Sequence, residues 1–191
     1  DMQYAVDRDY PALYLEDLLA LREFDALDDD TMVDYVTRAL VDPTSRRPSI
    51  ETLLHGFLPA KHIDHVHADA ICALTNHPQG EKAVREALGE NFAYVDWVRP
   101  GFSLSKIVGG LGDYAGVVLA HHGLVVWDED SDRCYQKTLD TVALADKYLD
   151  SLNKRPAANF QHQDLPDEEL KDLLLKLRGT IGKKQLLRTD N

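Results

Sequence analysis

The segment KHIDHVHADA, residues 61–70, brings His62, His65 and His67 close together, and LAHHGLVVW sets His121 and His122 beside Gly123. Imidazole nitrogens are ligands for divalent metals and groups for proton transfer. In a strand, successive side chains point to opposite faces, so His65 and His67 share a side while Val66 points away, and two imidazoles can meet one ion. An H-x-H pair alone is a weak signal in a chain with eight histidines. A third donor from a distant segment changes its meaning, because three protein ligands leave the open position that catalytic metal sites use. His121 and His122 are neighbours, so only one can face a given site from a strand. His122 precedes Gly123, where the backbone can bend and let a ligand approach, and it is the preferred third ligand; His121 reads as a hydrogen-bonded core or interface histidine. His62 falls on the other strand face, as a surface or outer residue. Asp64 and Asp69 could accept a ring N–H from a ligand histidine, but Asp69 is placed to cap the next helix, and neither is assigned to the site.

An ion held by three neutral imidazoles keeps its charge, which suits polarising a carbonyl or stabilising an enediolate. That chemistry needs a proton acceptor. Glu51, in SIETLLH just before the histidine strand, is the candidate; the competing reading is a first-turn glutamate favoured by the helix dipole.

Several elements must position these residues. LDDDTMVDYVTRALVD has the apolar spacing of a helix behind Asp caps, and Ser49 is expected to cap a short helix, SIETLLHGFLP, that ends near Pro59 and carries Glu51 and His55 on one face. HIDHVHA reads as a strand, DAICALTNH and GEKAVREALGE as helices, FAYVDWV as a strand and SLSKIVGGL as a helix. AGVVLAHHGLVVWD reads as two strands meeting at a tight bend, followed by a long helix, SDRCYQKTLDTVALADKYLDSLNK. A polar stretch over 153–166 reads as a linker, and DEELKDLLLKLRGTIG as a helix within a C-terminal helical tail, 167–191. The interspersed strands and helices indicate an α/β fold.

The 191 residues can bury a substantial core without disulfides or metal. Cys72 and Cys134 sit in apolar-periodic segments and read as reduced, packed thiols, which suits the cytoplasm. With 33 acidic against 21 basic residues and a net charge of −12, binding to a nucleic-acid backbone is excluded as an expectation. No apolar run reaches a membrane-spanning length, so no membrane partner is expected either. The opening DMQYAVDRDY resembles the interior of a longer polypeptide.

Taken together, PSIETLLH, HIDHVHADAI and AHHGLVVWD resemble the three signature segments of the class II aldolase/adducin family. The resemblance runs from about Pro11 to Leu152 and is nearest to the aldolase part of bifunctional rhamnulose-1-phosphate aldolase/short-chain dehydrogenase proteins. It implies a three-layer α/β/α fold with a mainly antiparallel central sheet over residues 1–152, with the domain's N-terminal part missing. It also implies a homotetramer with active sites at subunit interfaces. By the same resemblance His65, His67 and His122 hold Zn²⁺ or another divalent ion and Glu51 is the catalytic acid/base. The implied reaction is reversible cleavage of a ketose 1-phosphate into dihydroxyacetone phosphate and an aldehyde. Epimerisation or decarboxylation of a sugar phosphate would use the same enediolate chemistry, and an adducin-like interaction domain would keep the fold without catalysis; retention of Glu51 and all three histidines argues against the last. Two departures stand out. Trp97 occupies the place near RPGF where relatives often have tyrosine, so no tyrosine proton donor carries over, and the family's phosphate-binding loops lie upstream of the chain's first residue. VGGLGDY lacks the context of a dinucleotide-binding turn, so a fused dehydrogenase domain, if present, lies beyond the tail.

Overall fold

The computed structural model describes residues 6, 9–152 and 166–181. Helix α1, Leu15–Ala20, runs into a 3-10 turn, Leu21–Glu23, and is followed by α2, Asp29–Arg38, whose N-cap Asp28 accepts a hydrogen bond from the Thr31 amide at 2.9 Å. Next come α3, Thr52–Phe57, and strand β1, His62–Val66, then α4, Asp69–Thr75, and α5, Gly80–Leu88. Strand β2, Phe92–Val95, leads to α6, Phe102–Gly109. The hairpin of β3, Gly116–Leu119, and β4, Gly123–Asp128, feeds the long α7, Ser131–Leu152.

The four strands form one sheet in the order β1-β4-β3-β2. β1 with β4 and β4 with β3 are antiparallel, while β2 and β3 are parallel, so the sheet is mixed with two antiparallel pairings of three. The β3–β4 segment alternates between two fully buried faces, which explains its near-continuous apolar run. Val117, Leu119, Val125 and Trp127 pack against Leu54 and Leu58 of the α3 segment and Leu104 and Val108 of α6. Val118, Leu124 and Val126 pack on the other side against Ile71 and Leu74 of α4, Val84 of α5 and Cys134 and Ala145 of α7. The result is three layers, helices on both faces of one sheet. A third cluster, with Leu18, Leu21, Met32, Val36, Leu53, Phe57 and Phe102, lays α1 and α2 over α3.

The segment around α1 and its 3-10 turn carries no strong helical period in the sequence and was not among the expected elements; Leu18 and Leu21, at 4% exposure each, are what fix it. The close approach of α3 and α6 depends on Gly109, where a Cβ would stand 2.8 Å from Cβ of Phe57. The chain divides into two compact units, Asp1–Asn153 and Lys154–Asn191. The described part of the second is a single helix, α8, Asp167–Ile181, with acidic residues in its first turn. The stretch expected to be a linker lies, Pro166 apart, outside the described residues, as do residues 182–191 of the expected tail. Among the described residues no helix is long and apolar enough to cross a membrane.

Candidate metal centre

Register, more than sequence proximity, assembles the site. His65 of β1 lies opposite Val125 of β4, and directly opposed residues of an antiparallel pair point to the same face. Val125 faces the α3 layer, so His65 does too. Glu51 precedes α3 at the capping position, with φ −93° and ψ 4°. Its amide donates to Ser49 Oγ at 3.1 Å, and its carbonyl accepts the first helical bond, from Leu54 at 3.0 Å. Ser49 therefore holds the turn that carries Glu51 and does not itself cap the helix, which starts later than expected because residues 50 and 51 form a turn. His122 arrives from the β3–β4 turn, and His67 lies just past the end of β1.

One nitrogen or oxygen from each of Glu51, His65, His67 and His122 lies within 4.8 Å of every other. The Nε2 atoms of His65 and His122 are 3.3 Å apart and those of His67 and His65 3.1 Å apart. Glu51 Oε1 stands 3.0 Å from His122 Nε2 and 3.3 Å from His65 Nε2. His65 Nδ1 is 3.0 Å from the Leu124 carbonyl. A carbonyl only accepts, so Nδ1 carries the proton and the neutral ring turns the Nε2 lone pair toward the cluster. Glu51 Oε1 is shielded from water and receives no hydrogen bond of proper direction. Converging lone pairs around a sheltered carboxylate oxygen repel one another unless a proton or a cation stands among them. The donor set therefore fits a divalent ion: three imidazole nitrogens and one carboxylate oxygen suit zinc and its neighbours in the first transition row.

In the absence of an ion, the electrostatics carry the same message. Contact with the His65 imidazole lowers the Glu51 carboxyl from its ordinary range against the opposing effect of burial. Burial works to lower the His65 value, but the Glu51 carboxylate and the Leu124 carbonyl raise it overall. Burial, followed by repulsion from His65, lowers His122. His55, one turn after Glu51 on α3 and edge-on to the His65 ring with centroids 6.5 Å apart, is lowered by burial and by His65 as well.

All four residues singled out from the sequence come together, although His67 does so from beyond the strand end. His121 does not join them. It is exposed, with its ring nitrogen 2.7 Å from Asn76 Oδ1, so it is neither core nor ligand. His62 is exposed at the start of β1. Asp64 faces the opposite layer, where Thr138 of α7 donates to it at 3.0 Å, so it cannot support His65. Asp69 is the first residue of α4, whose N-cap is Ala68. Gly123 has a different reason from the expected bend: a Cβ there would lie 2.5 Å from the Val66 carbonyl and 2.9 Å from the His67 ring. The backbone support of His65 by Leu124 had no signal in the sequence, since it depends on strand register. Neither had the cleft that opens beside Glu51, lined by Tyr10, Arg47, Ser49, Thr52 and His55.

The class II aldolase and adducin N-terminal domain family matches residues 20–149. A curated relative, the uncharacterized oxidoreductase YuxG of Bacillus subtilis (strain 168), is 38% identical over 194 aligned residues, which take in 95% of this chain. The chain spans only 28% of that relative's length. Among solved structures, the N-terminal class II aldolase domain of a conserved protein from Thermoplasma acidophilum superposes with a TM-score of 0.74 at 32% identity, covering 78% of this chain and 70% of that one. With a match over most of its length and the three-layer fold described above, the chain belongs to the class II aldolase and adducin N-terminal domain family.

Proposed function

We propose that this domain is a divalent-metal-dependent aldolase, with zinc as its ion, that reversibly cleaves a ketose 1-phosphate of the rhamnulose 1-phosphate type into dihydroxyacetone phosphate and an aldehyde. The observation that carries this reading is the position of Glu51, whose carboxylate both completes the three-nitrogen cluster and lines the adjoining cleft. His65, His67 and His122 would hold the ion. When bound, the ion supplies an electrophile that polarises the substrate carbonyl and balances the negative charge that grows on its oxygen. Glu51, a carboxylate at neutral pH, takes the proton from the hydroxymethyl carbon in the condensation direction and returns it in the cleavage direction. The Leu124 carbonyl fixes the His65 tautomer, so the nitrogen facing the site stays a lone-pair donor. Arg47 stands at the rim of the cleft and has no ion-pair partner among the described residues, although the chain as a whole is strongly acidic. A guanidinium there suits the anionic end of a phosphorylated substrate.

The same reading makes the active molecule a homotetramer and this domain one part of a longer polypeptide with a fused short-chain dehydrogenase. The oxidoreductase name of YuxG and its greater length support the fusion. The test is cleavage of rhamnulose 1-phosphate, followed through dihydroxyacetone phosphate release. Zinc-loaded protein should turn over, and chelated protein should not. Glu51→Gln should keep its metal and lose roughly 10²-fold or more in turnover. Turnover unchanged by chelation or by Glu51→Gln would refute the proposal.

A further inference from the structure

The direction of His122 is decided in the β3–β4 turn, and that turn holds an unusual backbone. The His122 amide donates to the Leu119 carbonyl at 3.1 Å, closing a four-residue turn whose third residue is His121. His121 has φ 56°, alone in the left-handed region among the described non-glycine residues. A turn with positive φ at its third position favours Gly or Asn, because a Cβ there crowds the following carbonyl. Histidine persists in such a place only where its surroundings over-determine it.

Here the surroundings come from the end of α4. The His121 ring nitrogen Nδ1 is 2.7 Å from Asn76 Oδ1; with the side-chain amide oxygen accepting, Nδ1 is the protonated nitrogen. The His121 amide donates to Thr75 Oγ1 at 3.2 Å. Thr75 is 1% exposed, and its hydroxyl donates in turn to the Cys72 carbonyl at 3.2 Å, which orients it. Cys72 Sγ reaches the His122 carbonyl at 3.5 Å. On the other flank, Gly123 sits directly against the Val66 carbonyl and the His67 ring. The turn is thus gripped between α4 and β1, and only one of its two histidines is left to point inward.

We infer that His121 is a positioning residue: its ring, held on Asn76, keeps the turn in the left-handed conformation that delivers His122 Nε2 to His65 and Glu51. This inference rests on the reading of His122 as a metal donor. It assigns the doubled histidine two separate tasks, one ring bonding outward to a helix end and the other ligating inward. Relaxing His121 to negative φ would swing the following residue and carry Nε2 away from the cluster.

The test is zinc affinity, measured by competition with a chromophoric chelator, alongside the melting temperature of the metal-free protein. Wild type should bind one ion and His122→Ala should lose it. Asn76→Ala, which removes the acceptor without touching the turn, and His121→Val, which disfavours positive φ, should each weaken zinc binding by about tenfold or more, the scale for losing an outer partner of a metal ligand. Asn76→Asp restores an acceptor and should stay within about threefold of wild type. If Asn76→Ala and His121→Val lower the melting temperature but bind zinc like wild type, the clamp serves stability alone and the inference is overturned. If wild type binds no ion, or His122→Ala binds as well as wild type, the reading of the site falls and this inference falls with it.

Discussion

Glu51 lies where the chain turns into α3, and its backbone position matters as much as its carboxylate. Ser49 Oγ holds its amide, the side chain is 19% exposed, and the carboxylate therefore meets the three imidazoles from a fixed root. The sequence pointed to the four residues that cluster in the fold because H-x-H is a local pattern and His122 and Glu51 have distinctive neighbours. It could not disclose the Leu124 carbonyl or the Asn76 acceptor, which become partners only through register and helix packing. Arg47, exposed where it lines the cleft, yields a prediction at this scale. Arg47→Ala should raise KM for a phosphorylated ketose by about tenfold or more, the loss expected for a charge-assisted hydrogen bond, and leave the unphosphorylated ketose nearly unaffected. Equal effects on both substrates would remove Arg47 from substrate recognition. Asp128, at the end of β4, offers a second. Hydrogen bonding from Arg133 lowers its pKa to about 2. A carboxyl depressed on folding stabilises the native state above its unfolded pKa, and that contribution fades as pH falls through the folded value. The stability difference between wild type and Asp128→Asn in urea should be steady at neutral pH, shrink below about pH 4 and vanish only below about pH 2; a gap that does not change with pH would contradict this.

At the scale of elements, periodicity marked the helices and the hairpin, because each buries one face or runs fully buried between two layers. It missed α1, where a six-residue helix is too short to show a period and two buried leucines do the work. It also left strand order open, and the parallel pairing of β2 with β3 follows from the α6 crossover, which no local pattern reveals. The most consequential element is α3, since it carries Glu51 to the sheet. Leu54, at 1% exposure, packs on the sheet beneath it. Leu54→Ala should cost about 2–5 kcal/mol in chemical denaturation and should also reduce turnover in the protein that remains folded, because α3 loses its seat. A normal turnover number per folded molecule would show that Glu51 is held by its turn alone.

Within the first unit, three layers bring a strand edge, a helix start and a hairpin turn to one place; α3 and β1 follow one another in the chain, and the β3–β4 turn joins them from a distant segment. The family match covers residues 20–149 and the chain spans 28% of the length of YuxG; the fused partner and the tetramer are proposals. The central claim is narrower: an ion held by His65, His67 and His122 lets Glu51 move a proton at the carbon next to a carbonyl. It is tested most directly without knowing the aldehyde, by incubating the protein with dihydroxyacetone phosphate in deuterium oxide and following the hydroxymethyl protons by NMR. The zinc-loaded protein should exchange one of the two hydroxymethyl protons for deuterium, with exchange lost on chelation and reduced roughly 10²-fold or more in Glu51→Gln. Stoichiometric zinc with no exchange, or exchange indifferent to Glu51, would contradict the account.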